Sequence, residues 1–326
     1  MRIFVLGATG HVGQAVLRHA LANGHRVTAA TRQADPAALR NLRVTAVPVD
    51  DELSRLAELT AGHDVLVDAA APYPLEPSVP GSQASRLAIE TAVRRTERVL
   101  GAARMNRLRM AFVSSFTTLP RYEPPLGAWE AAWRRSVYPY FEAKEAMERV
   151  VAAAAREGLP AVIVNPAACL GPWEFRPEES SFTRLVLARR LPVVMDHILS
   201  LIDVRDVAVA IELALSRESF GRPIPLAGHN ISLASLAGRI LALDGCSGMA
   251  PFGIDDRLAS AAAFWTAAAS AVFGSTTPDV WRAVPLIADS FPMQPAAEQI
   301  AMGLSLRPLE ETLRDAVAFH RGRPLG

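Results

Sequence analysis

The chain opens on Ile3-Phe4-Val5-Leu6, an apolar run that breaks into Gly7-Ala8-Thr9-Gly10-His11-Val12-Gly13. Apolar residues then resume at helical spacing with Ala15, Val16, Ala20 and Leu21. This order reads as strand, tight turn and helix. It constrains the fold more than any other segment, because a strand passed directly into a helix is the opening unit of an α/β sheet. The spacing G-x-x-G-x-x-G is a variant of the dinucleotide fingerprint. Gly7 permits the turn, Gly10 lets a diphosphate approach the backbone, and Gly13 lets the helix pack close to the strand. The helix start offers free N–H groups and the positive end of a dipole. Gly7, Thr9, Gly10, His11, Val12 and Gly13 are therefore the candidate cofactor contacts in this turn. The His11 side chain, at the loop–helix junction, reads as packing rather than chemistry.

The alternation continues. Strands are expected at 3–6, 27–30, 44–48, 65–69, 110–114 and 161–164, with helices at 12–23, 53–61, 82–103 and 140–157. Repeated βα units of this length predict a parallel, doubly wound sheet with helices on both faces. Such sheets bind ligands at the carboxyl ends of their strands. Gly7, Arg32, Asp50, Ala70, Ser115 and Asn165 all fall at or just after expected strand ends, which points to one shared site. After Pro166 the composition changes, with proline and aromatics in Gly171-Pro-Trp-Glu-Phe-Arg-Pro177. A helix at 180–190, a strand-like run at 192–195 and a helix reaching residue 215 follow, the last with Asp206 as its expected N-cap. The remainder reads as mainly helical, closing at 309–321. The expected division is a dinucleotide-binding domain over 1–165, to which parts of 196–230 return, and a substrate lobe over most of 166–326.

The composition excludes several classes of function. Half of the 326 residues are apolar and the formal net charge is +1, so a sizeable core is possible and a nucleic-acid partner is not expected. Cys169 and Cys246 lack the spacing of a disulfide framework or metal site and read as small core residues. The chain enters a strand at once without a signal-peptide pattern. Its longest apolar stretches fall short of the ~20 residues a membrane span needs. A soluble, cytoplasmic protein with no membrane partner and no metal is the expectation.

Of the 34 lysine and arginine residues, only Lys144 is a lysine, and it stands four residues after Tyr140 in Tyr140-Phe-Glu-Ala-Lys144. Arginine stays protonated, whereas lysine is a compact charge whose pKa moves readily. Positions i and i+4 share a helix face, so Tyr140 and Lys144 can act together, while Tyr138 lies off that face. The competing reading is an ordinary surface lysine.

Together these pieces resemble the extended short-chain dehydrogenase/reductases, in the branch of NAD(P)-dependent epimerases and dihydroflavonol-4-reductase-like enzymes. The resemblance rests on the glycine turn, Ala69-Ala-Ala-Pro72, Phe112-Val-Ser-Ser115, Tyr140-Phe-Glu-Ala-Lys144, Asn165-Pro-Ala-Ala-Cys-Leu-Gly171-Pro172, Ile202-Asp-Val-Arg-Asp-Val207 and the closing helix. It implies a Rossmann-type sheet with a smaller, mainly helical C-terminal substrate lobe. It also implies a catalytic set of Ser115, Tyr140 and Lys144. The tyrosine would exchange a proton with a carbonyl or alcohol oxygen. A neighbouring ammonium would favour its phenolate, and the serine would hold that oxygen in place. Ser114 is the rival to Ser115 by register.

Ala70, Ala71, Tyr140, Lys144 and Asn165 complete the expected cofactor contacts. The second strand ends in Arg32, where an acid would hold a ribose hydroxyl and an arginine suits a 2′-phosphate, so NADP(H) is favoured over NAD(H). Asp50 is either an adenine contact or the N-cap of the following helix. Pro72, Phe116, Trp129, Trp133, Phe141 and Trp173, with Phe175, either seat an apolar substrate or fill the core. A homodimer through the helices near 82–103 and 140–156 follows from the same resemblance.

Three departures stand out. Asp68 occupies a position where the family more often has His or Asn, and must be paired or near solvent. No acid pair follows Ser115, which argues against an elimination. The 165–168 stretch lacks the Arg and Asn of nucleotide-sugar enzymes. The expected activity is carbonyl reduction, or the reverse alcohol oxidation, of a small or medium organic substrate, with an epimerase or isomerase as the alternative and a non-enzymatic NADP sensor less favoured.

Overall fold

The computed structural model describes residues 1–32, 36–50, 52–70, 72, 74–120, 135–177, 181–245, 251–255, 258–259, 261–262, 265 and 284–325. The six strands expected before residue 166 all form: β1 Arg2–Leu6, β2 Arg26–Thr31, β3 Thr45–Pro48, β4 Val65–Asp68, β5 Arg109–Val113 and β6 Ala161–Pro166. Between them run α1 His11–Ala22, α2 Leu53–Thr60, α3 Gln83–Met105 and α4 Pro139–Arg156.

The remainder holds β7 Ala168–Leu170, α5 Phe182–Leu187, β8 Val193–Asp196, β9 Ile198–Asp203 and α6 Val204–Ser216. There follow β10 Pro223–Leu226, β11 His229–Ser232, α7 Leu233–Leu243, β12 Phe252–Asp255, α8 Val284–Asp289, α9 Ala297–Ala301 and α10 Leu309–His320. The main sheet has seven strands in the order β10-β6-β5-β4-β1-β2-β3, all parallel. The strand order reverses between β1 and β4, the switch point at which doubly wound sheets open a crevice. Beyond the helices, the lobe also carries β11-β9-β7 and β12-β8, two small sheets.

Strand periodicity explains the layers, since alternate side chains point to opposite faces. Ile3 and Val5 of β1 and Ala111 and Val113 of β5 join one core with α1 and α6. Phe4, Leu6, Met110 and Phe112 join the other with α2, α3 and α4. Both faces of the inner strands are covered, so β1, β4, β5 and β6 are largely apolar, while the edge strand β3 is mostly exposed. Fully burying side chains such as Phe4, Leu6 and Phe112 contributes about 2 kcal/mol each. Local chemistry sets the helix ends. Ser82 caps α3 by accepting from the Ser85 N–H at 3.2 Å, and Pro139 opens α4 at a position that needs no N–H.

Asp206 is not the N-cap of α6. Strand β9 runs to Asp203, whose side chain caps the helix by accepting from the Arg205 N–H at 2.8 Å. Asp206 lies in the first turn instead, where its carboxylate takes the Arg307 N–H at 2.8 Å and pairs with the Arg307 guanidinium.

Candidate active site

The glycine turn is built by steric exclusion. Gly7 has φ +76°, and a Cβ there would lie 2.5 Å from Ala69 O, so only glycine lets β1 turn against the end of β4. A Cβ at Gly13 would lie 2.0 Å from Gly7 O, so glycine also lets α1 seat on the turn. Gly10 meets only Gly7 O, at 3.2 Å, which leaves its other side open to a ligand. Gly10 is the N-cap of α1, and its own side supplies no cap. The first N–H groups of α1 therefore lack helical partners. A diphosphate fits this cradle on both shape and charge.

His11 is buried in the first turn, with Nε2 3.0 Å from Pro172 O. Burial lowers its pKa to about 4, so the ring is neutral and packs the loop after β7 onto the glycine turn. Asp68 is fully buried and paired with Arg95 of α3 at 2.5 Å, as its charge requires. Its Oδ1 also accepts the Ala70 N–H at 3.1 Å, shaping the turn beside Gly7.

The structure brings Ser115, Tyr140 and Lys144 together. Ser115 follows β5 and caps a short 3-10 turn, Phe116–Thr118. Its Oγ accepts from the Thr117 N–H at 3.2 Å and from Tyr140 Oη at 3.3 Å. Tyr140 and Lys144 lie one turn apart on the inward face of α4, both buried. Lys144 Nζ donates to Val113 O at 3.4 Å, at the end of β5. Burial lowers the Lys144 pKa to about 8; Asp68 and Glu148 oppose that shift and Arg95 adds to it. The register also separates the two serines. Ser114 turns to the other side and donates to Glu148 Oε2 at 2.5 Å.

Asn165, at the end of β6, donates to Ser115 O at 3.2 Å, Thr118 Oγ1 at 2.8 Å and Glu148 Oε2 at 2.7 Å. Its Oδ1 is buried with no partner among the described residues. Glu148 and Thr118 are absent from the site expected from the sequence, where Ser114 enters only as the rival to Ser115. The available signal was Glu148, four residues beyond Lys144 on the same helix face.

Other expected residues scatter. Arg32 is exposed at the end of β2. Asp50 is exposed and holds the Glu52 N–H at 3.2 Å, while the α2 N-cap is Glu52, without a side-chain bond. Phe141 is buried edge-on to Tyr140, and the Arg135 guanidinium lies 4.7 Å over its ring. Arg135 also pairs with Asp289 of α8 at 2.7 Å and with Glu145, and donates to Thr117 O at 3.0 Å, tying the lobe to the serine turn. Phe116 packs against the core. Trp173 lies under the Arg18 guanidinium of α1 at 4.8 Å. Pro72 is half-buried in the segment after β4. Ala71, Trp129, Trp133, Asp35 and Cys246 lie outside the described residues. Burial pushes the Cys169 thiol up to about 12, so it stays protonated. Among the described residues, no helix is long and apolar enough to cross a membrane.

A parallel sheet with a glycine turn at its switch point and a buried tyrosine–lysine pair beside it defines a nicotinamide-dinucleotide enzyme. Residues 3–226 match the NAD dependent epimerase/dehydratase family, and the chain belongs to that family. It is an NAD(P)-dependent enzyme of the extended short-chain dehydrogenase/reductase type. It is 30% identical over 260 residues to a putative dihydroflavonol 4-reductase of Synechocystis, covering 74% of this chain and 72% of that one. It is also 30% identical over 243 residues to the sterol demethylase protein B of Methylococcus capsulatus, covering 72% of each. A nucleoside-diphosphate-sugar epimerase from Pseudomonas aeruginosa shares the fold with a TM-score of 0.69 at 22% identity, over 99% of this chain and 98% of that one.

Proposed function

We propose that the protein is an NADPH-dependent carbonyl reductase, working in reverse as an alcohol dehydrogenase, on a small or medium organic substrate. The observation that carries this reading is the Tyr140 hydroxyl on Ser115 Oγ at 3.3 Å, one helical turn from a buried lysine. When bound, the dinucleotide supplies the hydride. Tyr140 donates its phenolic proton to the oxygen that becomes negative. Ser115 Oγ holds that oxygen in place by hydrogen bonding. Lys144, as the ammonium, stabilises the phenolate left behind, and its lowered pKa lets it follow the proton traffic near neutral pH. The first turn of α1 binds the diphosphate, and Arg32 meets the 2′-phosphate. Asp50, Ala70 and Asn165 would line the rest of the cofactor path. Among the described residues, Pro72, Phe116, Phe141 and Trp173 are the proposed apolar substrate wall, with the substrate lobe drawn from most of 166–326. Two copies meet through α3 and α4, a point that light scattering tests by mass.

The name of one relative, a putative dihydroflavonol 4-reductase, favours a reductase. The test is loss of NADPH absorbance with a panel of ketones and aldehydes. Turnover of several members supports the reading, and silence across the panel with cofactor bound rejects it. The same residues would serve an epimerase that returns its hydride, a reading favoured by the sugar-epimerase neighbour. Denaturing the purified protein and finding tightly held NAD+ would select that alternative.

A further inference from the structure

Behind the serine and the lysine sits a polar cluster that the proton chemistry does not use. Glu148 Oε2 lies 2.5 Å from Ser114 Oγ, 2.7 Å from Thr118 Oγ1 and 2.7 Å from Asn165 Nδ2. These donors come from the end of β5, the turn after it and the end of β6, while Glu148 itself is on α4. One carboxylate oxygen thus joins three segments whose ends form the floor of the crevice.

The proton inventory orders the cluster. Ser114 and Thr118 have one hydroxyl proton each, and the Asn165 amide has two. One assignment uses all of them. Ser114, Thr118 and one Asn165 N–H donate to Glu148, which leaves the second Asn165 N–H to donate to Ser115 O at 3.2 Å. The chain therefore runs from the carboxylate through the Asn165 amide to the carbonyl of Ser115, the residue whose Oγ meets Tyr140. A protonated or amide side chain at 148 would bring a donor into a place where every neighbour already donates.

We propose that Glu148 is a positioning residue: its carboxylate gathers Ser114, Thr118 and Asn165, and through them fixes the Ser115 turn against Tyr140. The proposal rests on the function given above. Glu148 also lies one turn beyond Lys144, on the same helix face, where its negative charge favours the ammonium. The other charges acting on Lys144 are Asp68 of β4 and Arg95 of α3, and these compensate each other as an ion pair. Glu148 is thus the nearby charge that no arginine contact in the described structure offsets.

Because Lys144 is the sole lysine, protein grown with 13C-lysine gives one side-chain NMR signal, and its titration reads this ammonium directly. Glu148→Gln should lower its midpoint by at least about half a pH unit. The same variant should lower kcat about tenfold or more with KM within a factor of about two, because misplacement of the serine turn affects the reacting geometry first. Glu148→Asp keeps the charge and withdraws it from the cluster. It should hold the lysine midpoint near the wild-type value while kcat still falls, and it serves if the glutamine variant fails to fold. Wild-type turnover with both variants unchanged in kcat and lysine midpoint would overturn the proposal. If the wild type itself reduces no carbonyl, the proposed reaction fails, and the lysine signal in Glu148→Gln still decides whether Glu148 acts on this site.

Discussion

Lys144 in the crevice and Arg205 at the start of α6 are both cations drawn out of water, but their surroundings differ. Arg205 forms a fork on Asp203, with contacts of 2.7 and 2.9 Å, and reaches Asp315 of α10 at 2.5 Å. Asp203 takes a further bond from the Thr312 hydroxyl at 2.8 Å. The pairing raises the Arg205 pKa above its ordinary value against the effect of burial, and holds Asp203 below the usual carboxylate range despite burial. These charges are locked on and join α6 to α10. Lys144 has a backbone carbonyl at 3.4 Å, and burial moves its pKa to about 8. A fully paired buried charge fastens the fold, whereas an incompletely paired one titrates where chemistry can use it.

The contrast can be broken first at the phenol. Tyr140→Phe should lower kcat about a thousandfold while the urea midpoint stays near wild type, because it removes a proton donor and keeps the ring. Turnover close to wild type would end the distinction on the crevice side. Arg205→Leu should do the opposite. It leaves Asp203 and Asp315 buried without a cation, which costs about 3 kcal/mol in denaturant unfolding, while the lysine midpoint does not move.

A third prediction concerns the loop over 171–177, which links the two regions. Glu174 is buried against Ser181 Oγ at 2.5 Å, Arg176 at 3.2 Å and His320 of α10 at 3.5 Å. Burial pushes its pKa up, but His320, the charge of Arg176, that of His11 once protonated, and the Ser181 hydroxyl prevail and hold it at about 2. His11 is held at about 4, chiefly by burial. Both pKa values are depressed in the folded state, so the unfolded chain binds these protons at higher pH than the folded one. Stability should therefore fall as pH drops from 6.5 to about 4 through His11, and from 4.5 to about 2 through Glu174. The combined loss should be about 2 kcal/mol or more by chemical denaturation. His11→Gln should flatten the upper part of that slope, and an unchanged slope would remove His11 from it. The smallest effect is expected at Arg32, which is exposed. Arg32→Ala should weaken NADPH binding about tenfold and leave NADH binding nearly unchanged. Equal loss for both cofactors would deny it a role in 2′-phosphate recognition.

The sheet was readable because each strand is short, apolar and bounded by glycine, proline or asparagine, and because local order settles a βα unit. The lysine was readable through its scarcity. Glu148 was not, since a carboxylate four residues after a lysine looks like any exposed helix pair until β5 and β6 bring their donors to it. The cap of α6 depends on where β9 stops, and Asp203 and Asp206 are equally good caps by type. Strand β10, Pro223-Ile-Pro-Leu226, reads as irregular because proline removes ladder donors. It is tolerated because β10 is the edge strand of the sheet. The His11–Pro172 contact joins residues far apart in sequence, and only the folded chain supplies it.

The most direct measurement is the titration of the single 13C-lysine signal in the wild-type protein. A midpoint near 8, well below 10.5, that moves on cofactor release and does not rise in Tyr140→Phe, agrees with a desolvated ammonium working beside a phenol. A midpoint at 10.5, indifferent to both changes, would mean that Lys144 is an ordinary solvated cation and that the crevice holds no acid–base pair.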